Sequence, residues 1–61
     1  MSYKEDLKIK LEFANRQIEE KKKEIIKSIE REDTMTAALQ LVLLSDLKSE
    51  QALLNTLIKE Y

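Results

Sequence analysis

The 61-residue sequence contains no cysteine, histidine, glycine, proline or tryptophan. Without cysteine there can be no disulfide bond, thiolate nucleophile or cysteine-ligated zinc site. Without histidine the chain lacks the most common general base and the most common metal ligand. Without glycine it cannot form a phosphate-binding P-loop or a dinucleotide-binding turn. These absences predict that the protein is not an enzyme and that it uses no cofactor, metal or small-molecule substrate.

The short chain also poses a stability problem. A domain of this size buries only about 60% of the surface that its unfolded chain exposes. Small domains therefore usually rely on a disulfide, a metal ion or a second subunit. The composition offers neither of the first two, so we expect association with a second copy or with a protein partner.

Charge and hydropathy argue against nucleic-acid and membrane partners. Lysine and arginine number 11 and acidic residues number 12, giving a net charge of −1 and no strong attraction to phosphates. The most apolar run, residues 37–44, is far shorter than the ~20 residues that span a membrane. The charged N-terminal sequence lacks the apolar segment of a secretory signal. We therefore expect a cytoplasmic protein.

The spacing of apolar residues predicts two amphipathic helices and an all-α fold. Strong helix formers dominate, and apolar residues recur three or four positions apart in both halves of the chain. We expect helices at about residues 3–31 and 35–60, within a single domain covering residues 1–61. The stripes are Leu7, Leu11, Ala14, Ile18, Ile25 and Ile29 in the first half, and Leu39, Leu43, Leu47, Leu54, Leu57 and Tyr61 in the second.

The segment between these helices carries capping residues. Asp33, Thr34 and Thr36 have side-chain oxygens that can accept hydrogen bonds from the first turn of a following helix. They predict a turn at about residues 32–35. No glycine is present to end the first helix, so one continuous helix in a coiled coil is the alternative.

A register comparison favours an antiparallel hairpin over the continuous helix. If the chain folds back at the turn, facing residues should have numbers that add up to a constant. Several apolar positions satisfy this condition, whereas positions near Lys21 (or Lys22) and Glu50 (or Gln51) interrupt the seam with polar groups. The matching pairs are Leu7/Tyr61, Leu11/Leu57, Ala14/Leu54, Ile25/Leu43 and Ile29/Leu39.

One hairpin seam cannot cover all the apolar residues. Residues 34–61 contain only five charged residues, against 18 in residues 1–33. An exposed apolar surface of the remaining size usually marks an interface. We therefore predict that two hairpins form a homodimeric four-helix bundle, or bind a protein partner, with the second helix central. The predicted interface consists of Ile26, Ala37, Ala38, Leu41, Val42 and Leu44.

The charged run at residues 19–24 could bind phosphates or could simply be a solvated helix face. We favour the second interpretation, because acidic residues flank the three lysines and can pair with them along the helix. The expected pairs are Glu12/Arg16, Glu19/Lys23, Glu24/Lys27 and Lys27/Glu30.

These observations favour a non-enzymatic protein–protein interaction module that acts through the apolar face of its second helix. It could serve as a small regulator, inhibitor or chaperone. The alternative is an RNA-binding four-helix bundle that uses lysine and arginine from paired first helices. The topology is similar to that of plasmid copy-number RNA-binding bundles, type III secretion co-chaperones and short bacterial or phage regulators. That likeness assigns no residue a role.

Overall fold

The computed structural model describes residues 2–60 and shows two helices packed side by side. Helix α1 spans Tyr3–Glu30 and helix α2 spans Thr34–Glu60. The molecule is 45 Å long, the length expected of one 28-residue helix at 1.5 Å per residue. The predicted all-α helical hairpin is therefore confirmed, with helix bounds within one residue of those expected. The alternative of one continuous helix is wrong.

Helix α1 begins with a side-chain cap. The Ser2 hydroxyl accepts a hydrogen bond of 3.2 Å from the backbone N–H of Glu5. Glu5 and Asp6 place negative charge in the first turn, where the helix dipole is positive. Lys27 lies in the last turn, where the dipole favours a cation.

The turn between the helices is a Schellman motif built without glycine. The backbone N–H of Asp33 donates to the Ser28 carbonyl at 2.9 Å, and that of Glu32 donates to the Ile29 carbonyl at 2.9 Å. Glu32 adopts a φ of 59°, the left-handed region that favours glycine. The motif ends α1 at Glu30 and reverses the chain within three residues.

Asp33 then starts α2, as the capping residues predicted. Its carboxylate accepts a 3.1 Å hydrogen bond from the backbone N–H of Thr36, and its carbonyl accepts one from Ala37. Hydrogen bonds from the Thr36 side chain and backbone, together with the nearby charge of Arg31, hold the pKa of the Asp33 carboxyl below its ordinary value. Thr34 and Thr36 are not the cap and lie within the helix.

The apolar core lies toward the open end of the hairpin, where the chain begins and ends. Leu7, Ala14 and Leu54 are buried there, as the register comparison predicted. Three partly buried side chains pack against them: Leu11, Leu57 and Ile58. The predicted contact of Leu7 with Tyr61 lies outside the described residues.

Near the turn the predicted seam is wrong. Ile29 and Leu39 are more than half exposed, and Leu43 is about half exposed. Ser28 and Ala37 are buried instead. The reason is the spacing of the seam residues. Steps of three and four residues alternate along each helix, so the buried residue after Ile25 is Ser28 rather than Ile29.

Candidate interaction surface

A layer of polar side chains crosses the seam on the turn side of the core. The Ser28 hydroxyl donates to Gln40 Oε1 at 2.9 Å, and Gln40 Nε2 donates to Glu24 Oε2 at 3.3 Å. Lys21 Nζ donates to the same Glu24 oxygen at 2.8 Å. Ser28 is the most buried residue of the described chain at 2% exposure. A chain of three hydrogen bonds, two of them between the helices, therefore supplements the buried Ile25 in this part of the seam.

A second polar contact joins the helices nearer the open end, where Gln51 Nε2 donates to Asn15 Oδ1 at 2.6 Å. Each helix had two candidates for the polar residue that interrupts the seam. Lys21 and Gln51 are half-buried and lie in the seam, whereas Lys22 and Glu50 are exposed. Sequence reasoning missed Ser28 and Gln40. Ser28 lies three positions after Ile25, and Gln40 lies three positions after Ala37 and four before Leu44; this spacing was the signal that could have identified them.

The described part of the chain has no unpaired buried polar group and no candidate metal site. Within residues 2–60, every buried side-chain nitrogen and oxygen has a hydrogen-bond partner. No group of three or more acidic residues in that range is placed to hold a metal ion. Neither described helix is long and apolar enough to cross a membrane.

The lysine run on α1 forms local ion pairs that differ from those predicted. Lys21 pairs with Glu24 at 2.8 Å and Lys22 with Glu19 at 3.4 Å, both three residues apart. None of the four predicted pairs forms among the described residues. Glu24 turns toward the seam to accept from Gln40, which brings its carboxylate to Lys21 rather than to Lys27. Two of the three consecutive lysines thus have an acidic neighbour.

Exposed apolar side chains concentrate at the turn end of the hairpin. Seven of the eleven exposed large apolar side chains in the described chain lie between residues 26 and 43. Five of those seven are on α2. We call this set the turn-end surface, which consists of Ile26, Ile29, Met35, Leu39, Leu41, Val42 and Leu43.

Four of the six predicted interface residues are exposed. Ile26, Leu41 and Val42 are each more than half exposed, and Ala38 is also exposed. Leu44 is half-buried.

Ala37 is the exception, because it is only 5% exposed and occupies the hairpin seam. Its expected place outside the seam is therefore wrong. A small side chain is what the seam needs at the turn, where the two helices are joined by three residues and remain close together.

An open groove of about 450 Å³ runs along one side of α2. Three small residues in it, Ser45, Ser49 and Ala52, leave room for another helix to approach closely. Its lining consists of Leu41, Leu44, Ser45, Lys48, Ser49 and Ala52.

The groove extends the turn-end surface toward the middle of α2, because Leu41 belongs to both. Its mixture of leucine walls and small residues can accept the side chains of another helix. Comparison of the chain with protein-family models, with curated proteins and with solved structures finds no match.

Proposed function

We propose that the protein is a non-enzymatic protein–protein interaction module, a small regulator, inhibitor or chaperone, whose second helix binds a helical surface of another protein. The observation that carries the proposal is the turn-end surface together with the adjoining groove. Water-exposed apolar side chains in such a cluster lower the free energy of the system when a partner covers them.

The composition of α2 supports a helix-to-helix contact. The helix carries few charges along its length, so little charge has to be desolvated when a partner binds. Leu41 and Leu44 flank small residues in the groove, and such an arrangement lets a second helix pack at short distance. We expect Ile26, Leu41 and Val42 to contribute most of the binding energy, since few residues usually dominate an interface.

The charged helix supports the protein-binding proposal over the RNA-binding alternative. Lys21 and Lys22 each have a carboxylate within 4 Å, which weakens the field that a phosphate would meet. We place the proposed activity in the cytoplasm, because small extracellular domains commonly depend on disulfides and this chain has no cysteine.

The test uses a photo-crosslinking amino acid placed at one position of the full chain in its native host. A residue at position 41 should crosslink to a discrete protein, whereas one at position 23, on the charged face of α1, should not. Adding Leu44→Glu to the position-41 protein should remove the adduct, and adding Lys22→Glu should leave it unchanged. Adducts at position 23 that contain RNA, with none at position 41, would replace this proposal with the RNA-binding alternative.

A further inference from the structure

The exposed apolar residues of α2 include a regular stripe on the side roughly opposite the hairpin seam. Met35, Leu39, Val42 and Leu53 are 59–80% exposed. With Asp46 and Ser49 they follow steps of four, three, four, three and four residues, the spacing of a coiled-coil seam. We call these six residues the outer stripe. Helix α2 therefore carries two such stripes: one packs against α1, and no described residue of the chain covers the other.

The outer stripe continues the heptad of the buried α1 stripe. From Ile25 and Ser28 the same alternating steps pass through Glu32 at the turn and reach Met35 and Leu39. Because the turn reverses the chain, this stripe faces away from α1 while the stripe containing Ala37 and Gln40 faces inward. The hairpin thus exposes a helix face with the same spacing as one it buries.

The surface area of the molecule is larger than that of a compact monomer of the same mass. The chain exposes 4892 Å² for a mass of 7.2 kDa. A compact monomer of that mass exposes about 4,100 Å². The excess of about 800 Å² matches the area that each partner buries in a standard protein interface.

We infer that the outer stripe is a self-association face, through which α2 of one copy of this chain packs antiparallel against α2 of a second copy. The inference rests on the proposed function for its premise that α2 is an interaction helix, and it names the partner as the chain itself. In this dimer each α2 lies between its own α1 and the second copy's α2. The charged α1 helices lie outside.

Polar residues within the stripe select the antiparallel arrangement. In a parallel pair, equivalent positions face one another, so Asp46 would meet the Asp46 of the second copy and two carboxylates would repel. In an antiparallel pair whose two-fold axis passes between Leu47 and Lys48, Asp46 faces Ser49 of the second copy. The Ser49 hydroxyl then donates to the carboxylate, and this contact occurs twice.

The same register pairs apolar residues beside the polar contacts and matches the helix lengths. Val42 of each copy faces Leu53 of the other, on either side of the two polar contacts, while Leu39 faces Thr56 and Met35 faces Glu60 at the ends. The axis lies at the middle of Thr34–Glu60, so the two helices overlap along their whole length. No neighbouring heptad register satisfies both conditions, because a shift of seven residues places Asp46 against Val42 or Thr56.

The first test is the oligomeric state by sedimentation equilibrium at micromolar concentrations. The unmodified chain should be a dimer. Val42→Glu should raise the dissociation constant about 100-fold or more, since a charge enters the seam twice. Ile9→Glu is the matched control, because Ile9 on α1 is similarly exposed and lies outside the stripe. A monomeric unmodified chain, or a Val42→Glu protein that dimerises as well as the control, would overturn the inference.

The second test addresses the register and the relative direction of the two α2 helices. Ser49→Glu should weaken the dimer about 10-fold by facing Asp46 of the second copy, whereas Ser49→Lys should leave it intact or tighten it. A spin label on Lys59→Cys, in a chain without other cysteines, should lie about 35 Å from its counterpart. A separation below about 20 Å indicates parallel helices and rejects the antiparallel pairing.

The two proposals fail in different ways. If the chain is monomeric but a crosslinker at position 41 still captures a different protein, the self-association inference is wrong and the proposed function stands. If the chain dimerises as described and position 41 captures no other protein, self-association stands and binding to a different protein is rejected.

Discussion

The two ends of the hairpin differ in the side chains that fill the seam between the helices. At the open end, Leu7, Ala14 and Leu54 form an apolar cluster that excludes water from the seam. At the turn end, the seam holds Ser28 and Gln40, joined by a hydrogen bond of 2.9 Å. Ile25 is buried there, but seven large apolar side chains between residues 26 and 43 are exposed, so that half of the molecule has the larger apolar surface.

The difference places the residues that hold the hairpin together and those proposed to bind a partner toward opposite ends of one short molecule. Burial of large apolar groups drives the association of the helices at the open end. At the turn end the polypeptide itself holds the helices together, because only three residues join them. That covalent link lets the turn end keep polar side chains in the seam and leave most of its large apolar residues exposed.

The largest expected effect compares the two ends directly. Leu54→Ala should reduce the free energy of unfolding by about 2–5 kcal/mol, since it opens a cavity in the apolar cluster. Ile29→Ala near the turn should change it by less than about 1 kcal/mol, because Ile29 is 59% exposed. Urea denaturation followed by circular dichroism, at one protein concentration, measures both. Equal losses would mean that the turn end is packed as tightly as the open end.

The polar layer should give a smaller effect. Gln40→Leu and Ser28→Ala should each cost about 1–2 kcal/mol, because each leaves a former partner without its hydrogen bond. The double variant should lose less than the sum, with a coupling of about 0.5–1.5 kcal/mol in a double-mutant cycle.

The Asn15–Gln51 hydrogen bond, which is exposed to water although Gln51 itself is half-buried, supplies the matched control for that cycle. Alanine substitutions there should couple by less than about 0.5 kcal/mol, since water replaces an exposed hydrogen bond. If the two cycles give the same coupling, the Ser28–Gln40 contact is no more important than a surface contact.

The turn should respond to a single glycine. Glu32→Gly should stabilise the protein by about 0.5–1 kcal/mol, because it relieves a left-handed conformation while adding some freedom to the unfolded chain. Glu20→Gly, at an exposed position in the interior of α1, should destabilise it by about 1 kcal/mol. Thermal unfolding of both variants measures the difference. A destabilised Glu32→Gly protein would show that the Glu32 side chain itself supports the turn.

The smallest expected effect is a pH dependence at the same turn. The pKa of Asp33 is lowered in the folded protein, so its charged form favours folding. That contribution is complete above the ordinary aspartate pKa of about 4 and is lost as the pH falls through the lower pKa of the folded state. Asp33→Asn keeps a capping oxygen without titrating, so its melting temperature should fall less over the same acid range. Identical acid profiles would exclude the contribution.

The sequence alone determined the helices, their ends and the open-end core. The three-and-four spacing of Leu7, Leu11 and Ala14 on α1 admits one apolar face, so the burial of that face could be predicted. Asp33, Thr34 and Thr36 marked the region where α2 begins, because their side-chain oxygens can accept from the free N–H groups of a first turn, and the structure selects Asp33 among them. Ile26, Leu41 and Val42 could likewise be placed outside the seam, and the structure confirms that they are exposed.

Only the tertiary structure decided which face of α2 meets α1 near the turn. Residues 37–44 are apolar almost all around the helix, so their spacing fits the stripe through Leu39 and the stripe through Ala37 equally well. The left-handed backbone of Glu32 and the hydrogen bond between Ser28 and Gln40 set the rotation of α2 about its axis. Periodicity records where apolar residues recur on one helix. The choice between two apolar faces depends on how a three-residue turn orients one helix against the other.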